Sequence, residues 1–299
     1  MSIAFVFPGQ GSQKVGMGQE LYETSDIARA IMDAANSSLD FDLKKLCFEG
    51  PIEELTKSQF VQPAITTVNL MALAALEEKG VRATMVAGHS LGEYSAMVAA
   101  GSVSIEDAIN LAAKRGKFMQ ACADQNPGAM AAILGLSPEK IEEVLSGVPD
   151  SDGIVQVANF NSKAQSVISG NSTAVETASE LLKEAGARRI VPLPVSGPWH
   201  SPLVAGALDE LGPALDDVDF KDPVTPLVQN VTGMPVASGS EIRENLKKQV
   251  TGSVQWVQTM DYFLANGIET VIEVGPGAVL QGLAKAADRS WTKQSYTAV

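Results

Sequence analysis

Ala83-Thr84-Met85-Val86-Ala87-Gly88-His89-Ser90-Leu91-Gly92-Glu93 is the stretch that decides the fold. Its first five residues predict a short buried strand, and Glu93 to Ala100, stopped by Gly101, predict a helix. Between them lies Gly88-His89-Ser90-Leu91-Gly92, a Gly-x-Ser-x-Gly placed strand–turn–helix. In that setting it reads as a nucleophile elbow, whose sharp turn holds the serine hydroxyl exposed. The flanking glycines matter because a side chain there would block the turn or hold strand and helix apart. The plainer alternative is a glycine-rich turn whose serine only caps a helix.

A nucleophilic serine needs a base, and the chain has two histidines, His89 and His200. Neighbours across so sharp a turn point apart, which leaves His200 to take the proton from Ser90. His200 follows Pro192-Leu193-Pro194-Val195-Ser196-Gly197-Pro198-Trp199, which cannot be regular helix. Ser201-Pro202 after it reads as an N-cap with proline at the first helical position. No pattern marks the group that orients the imidazole. Asp209, Asp261 and Glu273 are candidates, and a backbone carbonyl would serve equally, so the spacing leans to a Ser–His dyad.

Working outward, the chain has a strand–helix rhythm with an insertion. Ile3 to Phe7 predicts a buried strand, followed by the loop Pro8-Gly9-Gln10-Gly11-Ser12-Gln13. That loop is neither a dinucleotide fingerprint, since Lys14 holds the third glycine position, nor a P-loop, since Met17 follows Gly16. Its glycines still allow backbone N–H groups to face a site. Helices are predicted over 25–38, 60–79 and 104–122. The middle segment reads as strand 129–134, helix 138–147, strands 154–158 and 166–169 joined by a turn at 159–163, helix 173–185 and strand 189–193. That βαββαβ order is the ferredoxin-like split motif. Helices around 203–215, 240–249 and 254–266 and a strand at 270–274 complete the chain, with Gly275-Pro276-Gly277, a last helix and a frayed tail from Ser290. The expected fold is α/β: an α/β-hydrolase-like catalytic domain from residues 1–125 and 196–299, interrupted by a ferredoxin-like small domain at 126–195.

Composition excludes several classes. A chain of 299 residues buries a large core, and its formal net charge of −13 argues against nucleic acid or an anionic membrane as partner. The N-terminus lacks a basic n-region, and no stretch reads as a membrane span. Cys47 and Cys122 read as reduced core thiols, and two histidines and two cysteines without ligand spacing predict no metal site. The chain is expected to be a cytoplasmic monomer.

Arg115 stands on the apolar stripe of its helix, formed by Ala108, Leu111, Ala112, Phe118, Met119 and Cys122, whereas Lys114 and Lys117 fall to the sides. A guanidinium on a buried face needs an anion, either a protein carboxylate or a substrate carboxylate gripped by its planar fork. Spacing does not separate the two.

The chain resembles the malonyl-CoA:acyl carrier protein transacylases and the related acyltransferase domains of polyketide and fatty acid synthases. The resemblance runs through Phe7-Pro8-Gly9-Gln10-Gly11-Ser12-Gln13, Gln62-Pro63-Ala64, Gly88 to Glu93, Arg115-Gly116-Lys117-Phe118-Met119, Gly128-Ala129-Met130, Pro194 to Ser201 and Glu273-Val274-Gly275-Pro276-Gly277. It implies that Ser90 takes a malonyl group from malonyl-CoA and passes it to the phosphopantetheine thiol of holo acyl carrier protein, with His200 as base and then acid and with no cofactor. It further implies an oxyanion hole from the backbone N–H groups of Gln10 and Leu91, and a malonate carboxylate held by Arg115. A backbone carbonyl near Gln249 would hold His200, and Met119 and Asn161 would line the acyl pocket.

Trp199 departs from the family, which usually has phenylalanine before this histidine; the larger ring should favour malonyl over methylmalonyl. Leu91, where glutamine would follow the serine in branched-acyl enzymes, points the same way. A chain without fused synthase domains is expected to serve fatty acid synthesis. The alternatives are a proofreading acyl-thioester hydrolase, a trans-acting polyketide acyltransferase, and a non-catalytic carrier-binding module. Lys163, Arg188, Arg189, Lys285 and Arg289 are the candidate docking cations for an acidic carrier.

Overall fold

The computed structural model describes residues 2–298. Its centre is β1 (Ile3–Phe7), a continuous apolar run of which Ala4 to Phe7 are buried, as a parallel sheet covered on both faces requires. The main sheet also contains β2 (Met85–Gly88), β7 (Leu227–Gln229), β8 (Met234–Pro235), β9 (Thr270–Glu273) and β10 (Thr292–Ser295), in the order β10-β9-β1-β2-β7-β8. All neighbours are parallel except the antiparallel edge pair β7–β8. Phe7 stands in register with Gly88. The loop after β1 and the elbow after β2 therefore leave the sheet side by side at its carboxyl end, where sites form in open α/β sheets.

The second sheet contains β3 (Ala129–Leu134), β4 (Val155–Ser162), β5 (Gln165–Gly170) and β6 (Arg189–Pro192), antiparallel throughout in the order β4-β5-β3-β6. With helices Pro138–Leu145 and Ser172–Glu184 in the two crossovers, this is the ferredoxin-like arrangement. Its own core joins Ile133, Ile141, Val157, Ile168, Val175 and Leu182. The sheet is fastened to the rest through Val254, which bonds both ways to β4: Val254 N–H donates to Ala158 O and Phe160 N–H to Val254 O.

Four local expectations are corrected. β4 runs on to Ser162, so residues 159–162 are strand, with irregular register at Val157/Asn159 and Phe160/Ser162; the polar composition that predicts a turn belongs to Asn159 and Asn161, both buried, where the strand faces the rest of the protein and bonds to Val254. Ser201 does not cap through its side chain, because its hydroxyl donates back to Pro198 O at 2.7 Å, and a 3-10 helix (Pro202–Ala207) follows. The tail expected to fray from Ser290 instead forms β10, anchored by the buried Trp291; its Thr-Lys-Gln-Ser sequence has no apolar alternation to announce a strand. Finally, helix Ser58–Glu78 is long and apolar enough to cross a membrane, with mean hydropathy 1.3, yet 78% of that window is buried inside the protein. It is the central core helix, packed chiefly on helix Ile105–Gln125. Cys47 and Cys122 are both free thiols.

Candidate active site

The elbow is tight because its glycines touch. A Cβ on Gly88 would lie 1.9 Å from the Gly92 carbonyl carbon. Ser90 is held at φ 51°, in the left-handed region that non-glycine residues rarely adopt, and the neighbouring structure must hold it there. Asn230 does so from the loop after β7. Its Oδ1 accepts the Ser90 N–H at 2.6 Å, and its Nδ2 donates to Gly88 O at 2.6 Å.

Ser90 Oγ lies 2.7 Å from His200 Nε2. His200 also has a positive φ, 58°, which turns its buried ring towards the serine. The other ring nitrogen, Nδ1, donates to Gln249 O at 2.9 Å and to Gly252 O at 3.1 Å. Two carbonyls therefore fix the tautomer, leaving the Nε2 lone pair for the serine proton. None of Asp209, Asp261 and Glu273 supplies the orienting group; Glu273 instead accepts the N–H groups of Leu280 and Gln281 at the start of helix Val279–Ala287. Burial, then the nearby Arg115 charge, lowers the His200 pKa to about 3, so the imidazole is neutral at pH 7. His89 points away from the serine. Its Nε2 lies 2.8 Å from Asn161 Oδ1, and its ring meets Trp256 edge-on.

Arg115 is 2% exposed. Its Nη1 donates to Gln62 Oε1 at 2.7 Å, and its Nη2 to Gln249 Oε1 at 3.0 Å and to Ser90 Oγ at 3.2 Å. Among the described residues no carboxylate contacts it directly; the nearest acid in its hydrogen-bond network, Glu93, is reached only through Gln249. Burial lowers its pKa while Tyr94 and Glu93 oppose the shift, and a guanidinium stays charged regardless. The cation therefore faces the nucleophile held by neutral amides.

A cavity of about 100 Å³ opens on this centre, lined by Gln10, Leu91, Met119, Met130, Trp199 and Val195 beside the catalytic groups. Met119 and Trp199 both line it. Asn161 is not in the lining: its Oδ1 lies 2.8 Å from His89 Nε2, and Asn159, two residues earlier on β4, lines the cavity. Gln10 and Leu91 flank Ser90, and neither backbone N–H has a partner among the described residues. No group of three His, Cys, Asp or Glu side chains able to hold a metal occurs among the described residues.

Three contributors have no role in the sequence reading. Gln62 and Glu93 lie within the resemblance segments, and a buried amide or acid on an otherwise apolar helix face is the signal that marks them. Asn230 carries no local signal, since its position depends on β7 packing beside β2.

A serine hydroxyl, a neutral imidazole and a buried cation facing one small cavity form the constellation of an acyl-transfer centre. The acyl transferase domain model matches residues 4–299. The malonyl CoA-acyl carrier protein transacylase of Bacillus subtilis (strain 168) is 45% identical over 287 residues, covering 96% of this chain and 90% of that one. An acyl-carrier-protein-S-malonyltransferase from Bartonella henselae superposes with a TM-score of 0.95 at 40% identity, covering 99% and 95% of the two chains. A malonyl-transacylase solved in complex with its type II PKS acyl-carrier protein gives 0.94 at 38% identity, covering 99% and 96%. The chain belongs to the acyl transferase domain family.

Proposed function

We propose that this chain transfers a malonyl group from malonyl-CoA to the phosphopantetheine thiol of an acyl carrier protein. The observation that carries the reading is Arg115, a buried cation with no carboxylate bonded to it, 3.2 Å from the nucleophile. An unpaired buried charge is costly unless something completes it, and a substrate carboxylate does so.

Ser90 Oγ attacks the thioester carbonyl carbon as His200 Nε2 takes its proton, and the carbonyl oxygen becomes an oxyanion facing the Gln10 and Leu91 N–H groups. Collapse breaks the C–S bond, and the imidazolium returns the proton to the leaving CoA thiolate. In the second half-reaction the carrier thiol gives its proton to His200 and attacks the malonyl ester; the Ser90 alkoxide leaves and is reprotonated. Both halves use the same groups, which is ping-pong catalysis through a covalent intermediate. The reaction so written needs no cofactor, and a cytoplasmic monomer supplying fatty acid synthesis is the setting it suits.

The carrier surface is supported by the small sheet. Lys163 at the β4–β5 turn and Arg188-Arg189 at the start of β6 are exposed, and pairing of Gln165 with Leu134 and of Leu134 with Arg189 puts them at one end of the sheet. They form a basic edge on a chain of net charge −13, fit for an acidic carrier.

The test is intact-protein mass after brief mixing with malonyl-CoA, then addition of holo acyl carrier protein. A malonyl adduct, absent in Ser90→Ala and passed intact to the carrier, is expected. An adduct released to water and never to the carrier would make the protein a thioesterase.

A further inference from the structure

Arg115 raises a physical problem. It must stay charged in a buried place, yet a carboxylate bonded to it directly would occupy the donors the substrate needs. Three of its five N–H donors are engaged, all by neutral oxygens. The nearest compensating charge is Glu93, at the start of helix Glu93–Ala99 and 1% exposed. One side chain joins the two. Gln249 donates through Nε2 to Glu93 Oε2 and to Ser90 O, and accepts from Arg115 at Oε1.

The other Glu93 oxygen, Oε1, accepts the Asn230 N–H at 2.5 Å. Both carboxyl oxygens therefore face donors, and neither contact offers an acceptor for an acid proton. Desolvation pushes the Glu93 pKa up to about 8 against the lowering by Asn230, Gln249 and Arg115; it is the donors facing both oxygens that select the carboxylate, since the acid form would have no acceptor for its proton. An amide at position 93 cannot reproduce the pattern. If its oxygen serves Asn230, its NH₂ meets the Gln249 NH₂, and Gln249 has to turn that donor towards Arg115.

We propose that Glu93 is a positioning residue for acyl selectivity: held one amide away from Arg115, it balances the guanidinium and fixes the Gln249 orientation that leaves Arg115 open to a substrate carboxylate. The effect is specific to acyl groups that carry a carboxylate. The inference rests on the malonyl-transfer reading, so the wild-type protein is its control.

The experiment compares second-order acylation of Ser90 by malonyl-CoA, acetyl-CoA and a fluorophosphonate in wild type, Glu93→Gln and Gln249→Met, with thermal midpoints. Gln249→Met removes the bridging amide but keeps the backbone carbonyl that holds His200. In both variants the malonyl-to-acetyl rate ratio is expected to fall about tenfold or more, as a buried donor is left mismatched. In Glu93→Gln, acetyl-CoA and fluorophosphonate rates should stay within about threefold, because the dyad is untouched; in Gln249→Met, which also loses the donor to Ser90 O, only the malonyl-to-acetyl ratio is read. All three reagents slowing together in Glu93→Gln, or an unchanged ratio in the folded variants, would overturn the proposal; should Glu93→Gln not fold, the ratio in Gln249→Met decides alone. Absence of a malonyl adduct in wild type would instead sink the transfer reading itself.

Discussion

Replacing Gly9 by alanine should slow Ser90 acylation while leaving the fold in place. The loop Pro8-Gly9-Gln10 runs so close to the elbow that a Cβ on Gly9 would sit 2.4 Å from the His89 carbonyl oxygen, where real contacts stay beyond 3.0 Å. The obstacle is backbone on both sides, so the loop has to retreat by at least about 0.6 Å, the difference between those distances. An oxyanion donor works at about 2.7–3.1 Å, and such a retreat takes the Gln10 N–H towards about 3.5 Å, where little hydrogen bond remains. Losing one such donor costs about 100- to 1000-fold in kcat, roughly 2.7–4 kcal/mol. The loss should fall on kcat, because the oxyanion forms only in the transition state. Rapid-quench single turnovers with malonyl-CoA, read by intact mass, measure it beside the thermal midpoint. A folded Gly9→Ala protein acylating within about threefold of wild type would refute the assignment of Gln10 to the oxyanion hole.

The remaining predictions concern charge, shape and docking. Burial and Arg115 lower the His200 pKa to about 3, so the base is neutral from pH 8 downward and its protonation stops the reaction only as pH falls through that low value. Fluorophosphonate labelling of Ser90 should show no falling limb near pH 6.5, and Arg115→Gln should move the limb upward; a wild-type limb at an ordinary histidine value would contradict this. Arg115→Ala should load acetyl about as readily as malonyl, by losing a charged contact worth about 1.5–3 kcal/mol, or roughly 10- to 150-fold in malonyl-CoA kcat/KM. Trp199 lines the small cavity, so Trp199→Phe should raise methylmalonyl-CoA turnover relative to malonyl-CoA; equal use of both esters by wild type would show the ring does not discriminate. Reversing charge at Arg188 and Arg189 should raise the apparent KM for carrier protein and weaken its salt dependence while leaving acylation by malonyl-CoA unchanged. An unchanged KM would remove those residues from the docking surface.

The features legible in sequence were those written in local geometry. The elbow announces itself because glycine, serine and glycine must be adjacent, and the ferredoxin-like unit because its strands and helices alternate over a short span. His200 follows by elimination from two histidines. The strand β10 was not legible, because backbone pairing with β9 and one tryptophan make it a strand rather than its own apolar pattern. Asn159, which lines the cavity, and Asn161, which bonds His89, lie two residues apart on the same strand, and the register shift after Phe160 that parts them leaves no mark in the sequence. Asn230 was invisible for a third reason: it serves an elbow 140 residues earlier, and only the adjacency of β2 and β7 brings them together.

Gln156, on β4, donates from one amide nitrogen to His200 O at 2.7 Å and to Thr251 O at 2.9 Å, while the imidazole itself bonds to carbonyls at Gln249 and Gly252. The base is thus pinned by both lobes at once. Swinging the small sheet away to admit a carrier arm would break the Gln156 bonds to the His200 and Thr251 carbonyls, so the hinge between the two sheets and the anchorage of the catalytic base are one and the same joint.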